Sequence, residues 1–238
     1  LGCVPNMFAG RPISCAVNPC VGRESDLTPA AVSKNVVVVG GGPGGLYAAW
    51  ICALRGHQVT LLEKHPELGG NFRIASYPTG KGQISEAIRS MIVRAKQAGV
   101  NIRLNTEATE EPLRALAPNA VILATGSVPL VLPIPGLADC GYVTAQDLLL
   151  GKTAAGRRAL VVGGGMVGCE AAEYLAERGH QVAIVEMKDV IAADVTPENR
   201  RYMFRNFEED HVLLQPGAKA PGNAVLATGD ALEAALAI

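Results

Sequence analysis

Lys34–Lys64 reads KNVVVVGGGPGGLYAAWICALRGHQVTLLEK, and Arg157–Met187 reads RRALVVGGGMVGCEAAEYLAERGHQVAIVEM. One pattern is used twice at an offset of 123 residues: the glycines, an Arg-Gly-His-Gln-Val turn and a terminal Glu all recur. Each copy predicts a βαβ unit. Val36–Val39 is a short continuous apolar run, as expected of a parallel strand covered on both faces. A glycine turn follows, then a helix with Leu46, Ala49, Trp50, Ala53 and Leu54 at three- and four-residue spacing. Gly56 stops that helix, and Val59–Leu62 is a second strand ending at Glu63. The second copy predicts strands Ala159–Val162 and Val182–Val185 around a helix through Arg178.

Between the copies, Ile84, Ala87, Ile88, Met91, Ile92 and Ala95 predict an amphipathic helix closed by Gly99. Asn101–Leu104 reads as a strand and Ala120–Ala124 as a further buried strand, followed by a proline-rich connector over Val128–Gly136. Asn119–Gly126 (NAVILATG) is echoed by Asn223–Gly229 (NAVLATG). The expected class is α/β, with two Rossmann-like dinucleotide-binding units on parallel sheets, the second inserted in the first and truncated. The expected division is a cysteine-bearing arm and linker (1–33), a first unit (34–135, completed by 224–238) and a compressed second unit (136–223). The second copy is shorter by about 20 residues, counted from its Glu to its Ala-Thr-Gly. A chain that begins at Leu1 in mid-motif is expected to be part of a longer one.

Gly40-x-Gly42-x-x-Gly45 lies between a strand and a helix, where each glycine has a physical task. Gly40 permits the tight turn, Gly42 lets the backbone approach a pyrophosphate, and Gly45 lets the helix lie close to the strand. The helix N-terminus adds free N–H groups and partial positive charge. Glu63, at the end of the next strand, can accept hydrogen bonds from a ribose. Gly163-x-Gly165-x-x-Gly168 with Glu186 repeats the arrangement. A glycine turn can also be a plain connection, but two copies with strand, helix and distal Glu argue for two dinucleotides. Glu186 favours a free 2′-hydroxyl over a 2′-phosphate, hence NADH over NADPH, with Lys188 either softening that preference or merely solvated.

Composition excludes other classes. Hydrophobic residues at 49% and charged ones at 18% exclude a disordered chain. A net charge of −1 and 4% aromatics argue against nucleic acid and anionic membrane partners. No apolar run is long enough to span a membrane, and no secretory signal is visible, so a cytoplasmic setting is expected. Six cysteines in a chain of 238 do not make a disulfide scaffold, and no C-x-x-C redox pair occurs. Cys52 and Cys169 read as buried apolar thiols, and His57 and His180 as equivalent turn residues of the repeat. His65 and His211 lack zinc-ligand spacing, and no Gly-x-Ser-x-Gly elbow or phosphate loop occurs.

With Glu63, the Gly69-Gly70 pair, Ala124-Thr125-Gly126 and a second glycine unit, the chain resembles the two-dinucleotide-fold flavoprotein reductases. The arm CVPNMFAGRPISCAVNP (Cys3–Pro19) is similar to the segment before the FAD domain in NADH:flavin oxidoreductases of the old yellow enzyme family, the enoate and 2,4-dienoyl-CoA reductases among them. That resemblance implies FAD on Gly40, Gly42, Gly45 and Glu63, with Gly69, Gly70, Thr125 and Gly126 closing over it. It implies NADH on Gly163, Gly165, Gly168 and Glu186, hydride passing from NADH to FAD, and no catalytic side chain. Glu170 is either a nicotinamide neighbour or a carboxylate favoured by the helix dipole. Asp230 either contacts the FAD ribityl chain or belongs to the second unit. Cys3 and Cys15 match the last two ligands of a 4Fe–4S segment whose other two would lie upstream, with an FMN-binding TIM barrel. Two thiolates cannot hold a four-iron cluster, and Cys20 matches no ligand position.

The implied enzyme is a reductase module passing electrons through cluster and FMN to an unsaturated acid or enoyl thioester, in an expected homo-oligomer. The rival is a non-catalytic nucleotide-binding module of a larger flavoprotein complex.

Overall fold

The computed structural model describes residues 3–218, with side chains from Asn6 onward. The chain divides into two compact units, the first reaching Val128 and the second starting at Pro129. In the first, helix α1 (Cys3–Phe8) and a single 3-10 turn at Glu24–Asp26 precede the sheet. Strand β1 (Asn35–Val39) leads through the glycine turn into α2 (Pro43–Leu54), and β2 (Gln58–Leu62) returns beside β1. Helices α3 (Gly70–Ile74) and α4 (Gly82–Gln97), strand β3 (Asn101–Arg103), helix α5 (Glu110–Leu116) and strand β4 (Ala120–Leu123) follow. The sheet order is β3-β2-β1-β4, all parallel, with Val36 in register with both Val59 and Ala120.

The run of valines takes the central place because both its faces are covered: Val36, Val37 and Val38 are all buried in succession. Leu46 and Ala49 of α2 and Ala87, Met91 and Ala95 of α4 meet Val36, Val38, Val59 and Leu61 in one core. The guanidinium of Arg94 lies 5.2 Å from the Trp50 ring and ties the two helices further. The arm rests on the same unit, where the Tyr47 hydroxyl of α2 donates to the Val17 carbonyl.

β4 departs from the expected buried strand over Ala120–Ala124. It ends at Leu123, and only Ala120 and Ile122 face the core, while Val121 and Leu123 are exposed. The cause is position: among the described residues β4 pairs with β1 alone and forms the sheet edge.

The second unit runs α6 (Ala145–Leu149), β5 (Arg158–Val162), α7 (Met166–Ala176), β6 (Gln181–Val185), α8 (Pro197–Glu209) and β7 (Leu213–Gln215). Its sheet is parallel with order β5-β6-β7. Cys169, Ala172 and Leu175 of α7 pack with Ile184, Met203 and Phe207 in its core. α7 ends at Ala176, two residues before the expected Arg178, and β3 ends at Arg103 rather than Leu104. The second unit passes from the loop after β6 directly into α8, with no counterpart of α3. The Asn223–Gly229 echo and the 224–238 return lie outside the described residues.

Two candidate dinucleotide sites

The two glycine turns share one backbone. Gly40 has φ 108° and Gly163 φ 103°, left-handed values that glycine adopts without strain. Gly42 (φ −74°, ψ 180°) and Gly165 (φ −76°, ψ 179°) are the N-caps of α2 and α7. A Cβ on Gly45 would lie 1.8 Å from the Gly40 carbonyl oxygen, and one on Gly168 would lie 1.9 Å from that of Gly163. Each helix therefore presses on its own turn where any side chain would stand.

Each distal glutamate is tied to its turn. The Gly41 N–H donates to Glu63 Oε2 at 2.7 Å and the His65 N–H to Oε1 at 2.8 Å. Gly164 and Lys188 give Glu186 the same pair of bonds at 2.7 and 2.8 Å. Glu63 is buried and Glu186 is half-buried. With one N–H on each oxygen, either carboxylate keeps lone pairs for further donors. The middle glycines, Gly41 and Gly164, were not among the residues singled out from sequence, although the triple glycine in both copies marks them. They need to be glycine because a Cβ would meet Leu68 Cδ2 at 2.5 Å in the first copy and Glu186 Cβ at 2.9 Å in the second.

The remaining predicted residues fall as follows. Gly69 (φ 107°) and Gly70 (φ 52°) open α3, with the Gly69 N–H donating to the Gly41 carbonyl at 2.8 Å and the Gly70 Cβ position 3.2 Å from the Gly42 Cα. Thr125 and Gly126 follow β4, where the Ala124 carbonyl oxygen lies 2.2 Å from the Cβ position of Gly40. All these residues gather at the first turn. Glu170 is the fifth residue of α7 and half-buried. Asp230 lies outside the described residues, as does the side chain of Cys3.

Two differences separate the copies. Position 43 is proline and lacks an N–H, whereas its counterpart Met166 has one. The Met166 N–H donates to Asp194 Oδ1 at 3.0 Å and Oδ2 at 3.1 Å. The counterpart of Asp194 at the 123-residue offset is Asn71, whose Nδ2 donates to the Ser127 carbonyl at 2.9 Å. Sequence reasoning missed Asp194; extending the repeat eight residues past Glu186 reaches it.

The first turn fits a dinucleotide well. A Cβ on Gly42 would meet nothing within 4 Å, so an anion can approach the backbone at the start of α2 closely. The second turn has the same backbone and the same glutamate, with a carboxylate in front of it.

Cys15, Cys20, Cys52, Cys140 and Cys169 are free thiols, and among the described residues no group of three or more His, Cys, Asp or Glu could hold a metal ion. Cys169 is fully buried and donates to the Gly164 carbonyl; burial, then the charges of Asp194, Glu170 and Glu186, push its thiol up to about 11. Cys52 is only partly buried, and its thiol too is raised by burial. His57 Nδ1 accepts from the Lys34 N–H and His180 Nδ1 bonds the Gly156 carbonyl, each bracing the entry to a first strand. No helix among the described residues is long and apolar enough to cross a membrane.

Known proteins share this arrangement. The family described as pyridine nucleotide-disulphide oxidoreductase matches residues 34–234. An NADH oxidase of Thermoanaerobacter brockii is 43% identical over 91% of this chain and 35% of its own length. A cinnamate reductase of Clostridium sporogenes is 41% identical over 80% of this chain and 29% of its own. The solved structure of a 2-naphthoyl-CoA reductase with 2-naphthoyl-CoA matches with TM-score 0.85 at 32% identity, over 91% of this chain and 34% of that one. The chain thus spans about a third of the length of these relatives. The resemblance to the FAD- and NAD(H)-binding part of the old yellow enzyme-like flavoproteins is borne out, and so is the α/β fold with parallel, Rossmann-like sheets. The chain belongs to the pyridine nucleotide-disulphide oxidoreductase family.

Proposed function

We propose that this chain is an FAD-dependent NADH oxidoreductase module. Its first unit holds FAD through Gly40, Gly42, Gly45, Glu63, Gly69, Gly70, Thr125 and Gly126, and its second holds NADH through Gly163, Gly165, Gly168 and Glu186. The observation that carries this is the shared backbone of the two turns, each with a glutamate bonded to its middle glycine. The α2 N-terminus receives the flavin nucleotide's phosphates, and Gly42 lets them come close. Glu63 and Glu186 accept from ribose hydroxyls on the oxygen lone pairs left by their backbone donors. Glu186 repels a 2′-phosphate and so favours NADH. With both bound, the nicotinamide and the flavin supply the hydride chemistry, and the protein supplies position and exclusion of water.

The acceptor lies beyond this chain. Names such as cinnamate reductase and 2-naphthoyl-CoA reductase support an unsaturated acid or enoyl thioester, reached through an iron–sulfur cluster and FMN on an adjoining TIM barrel. Cys3 and Cys15 are two ligands at most, so the residues present do not fit a complete four-iron cluster.

One observation favours the rival, a non-catalytic nucleotide-binding module: Asp194 places a negative charge in front of the second turn. A spectrum decides. The purified protein should carry the visible absorbance of flavin, and anaerobic NADH should bleach it. A colourless protein, or bound flavin indifferent to NADH, overturns the reductase reading.

A further inference from the structure

The carboxylate of Asp194 stands at the N-terminus of α7, the helix end to which the proposed function assigns the second dinucleotide's phosphates. Both its oxygens lie within hydrogen-bond distance of the Met166 N–H, the first amide of the 11-residue helix α7. They also lie 3.4 and 3.7 Å from the Cβ position of Gly165, the glycine whose missing side chain opens the turn. The loop carrying Asp194 is held on both sides. Ile191 is buried, with Cγ1 3.1 Å from the Cβ position of Gly164, and the Ala192 N–H donates to the Gly164 carbonyl at 2.6 Å. Just beyond, α8 starts at Pro197.

The first unit lacks this device. Pro43 offers no N–H, and Asn71, which carries no charge, bonds Ser127. The difference between the copies is thus one backbone donor and one negative charge, introduced together.

We propose that Asp194 is a built-in competitor for the phosphates of the nicotinamide dinucleotide, which binds only as this carboxylate leaves the end of α7. This rests on the reading of the second turn as an NADH site. Carboxylate and pyrophosphate want the same Met166 N–H and the same partial positive charge of the helix end. Held together in that space they repel. The exposed Ala193 and Asp194 follow the anchored Ala192, so the side chain can swing out without unpacking Ile191. At the first turn Pro43 offers no such amide, and the position equivalent to Asp194 carries no charge.

Calorimetric titration of the purified protein with NADH, with ADP-ribose as a non-redox probe and with adenosine as a phosphate-free one, tests this. Asp194→Asn keeps the size and the cap but removes the charge; Asp194→Ala removes both. Both variants should bind NADH and ADP-ribose about tenfold more tightly than the wild type, with adenosine affinity unchanged. Without ligand, Asp194→Ala should melt at a lower temperature, because a helix cap is lost. Equal or weaker NADH binding by Asp194→Asn overturns the proposal and leaves Asp194 a helix cap, as does an equal gain for adenosine. If neither wild type nor variants bind NADH or ADP-ribose, the NADH reading itself fails and the proposal with it.

Discussion

An alanine at position 45 would place its methyl 1.8 Å from the Gly40 carbonyl oxygen, whereas one at position 42 would meet nothing within 4 Å. The two substitutions should therefore separate folding from binding. Gly45→Ala should lower stability by about 1–3 kcal/mol, since the helix must move off its turn. With flavin removed from both, Gly42→Ala should melt close to the wild type yet fail to take flavin up again, because the methyl stands where a phosphate approaches; thermal unfolding and the visible spectrum read the two effects. Cys169 gives a second residue-scale expectation. Its thiol, raised to about 11, stays protonated at mildly alkaline pH, so iodoacetamide should label exposed Cys140 and spare Cys169 in peptide mass mapping. At this scale the sequence showed the glycines and glutamates, because a turn and a strand end are local. It did not show that Gly41 and Gly164 hand their N–H groups to those glutamates, since each bond spans 22 residues.

The long elements were legible because each carries its own signal: α4 follows an apolar stripe, α2 and α7 follow their glycine turns as largely apolar segments, and β1 is a block of valines. Short ones were not. α3 and α6 have five residues each and β7 three, too few for a pattern, so they form on neighbours rather than on propensity. α8 could have been found from Thr196-Pro197 followed by Met203 and Phe207 four apart. α6 shows how a short helix is held. The Asp147 N–H donates to Thr144 Oγ1, whose hydroxyl donates back to the Asp147 carboxylate, with Lys152 adding a third bond. The Thr144 bond, then that of Lys152, hold the Asp147 carboxyl below its ordinary range. A lowered folded value means the contribution is full above the unfolded value near about 3.9 and fades as pH falls through the folded one. Thr144→Ala should move the Asp147 titration, followed by NMR, back up toward about 3.9.

For the whole molecule, the repeat predicted two parallel sheets built on one plan, and β3-β2-β1-β4 and β5-β6-β7 are such sheets. What the repeat could not reveal was burial at the margins. Val36–Val39 and Ala120–Ala124 look alike as apolar runs, but among the described residues β1 is flanked on both sides and β4 only by β1. The outward row of Val121 and Leu123, on a strand that among the described residues pairs on one side only, bears on colloidal behaviour. An apolar strand margin is a template for another chain's strand. Concentrated solutions should scatter more light as this margin meets its like, and Val121→Lys should suppress that growth while leaving the melting temperature nearly unchanged. The outermost described strand of the first sheet thereby also sets how crowded the protein can become before it sticks to itself.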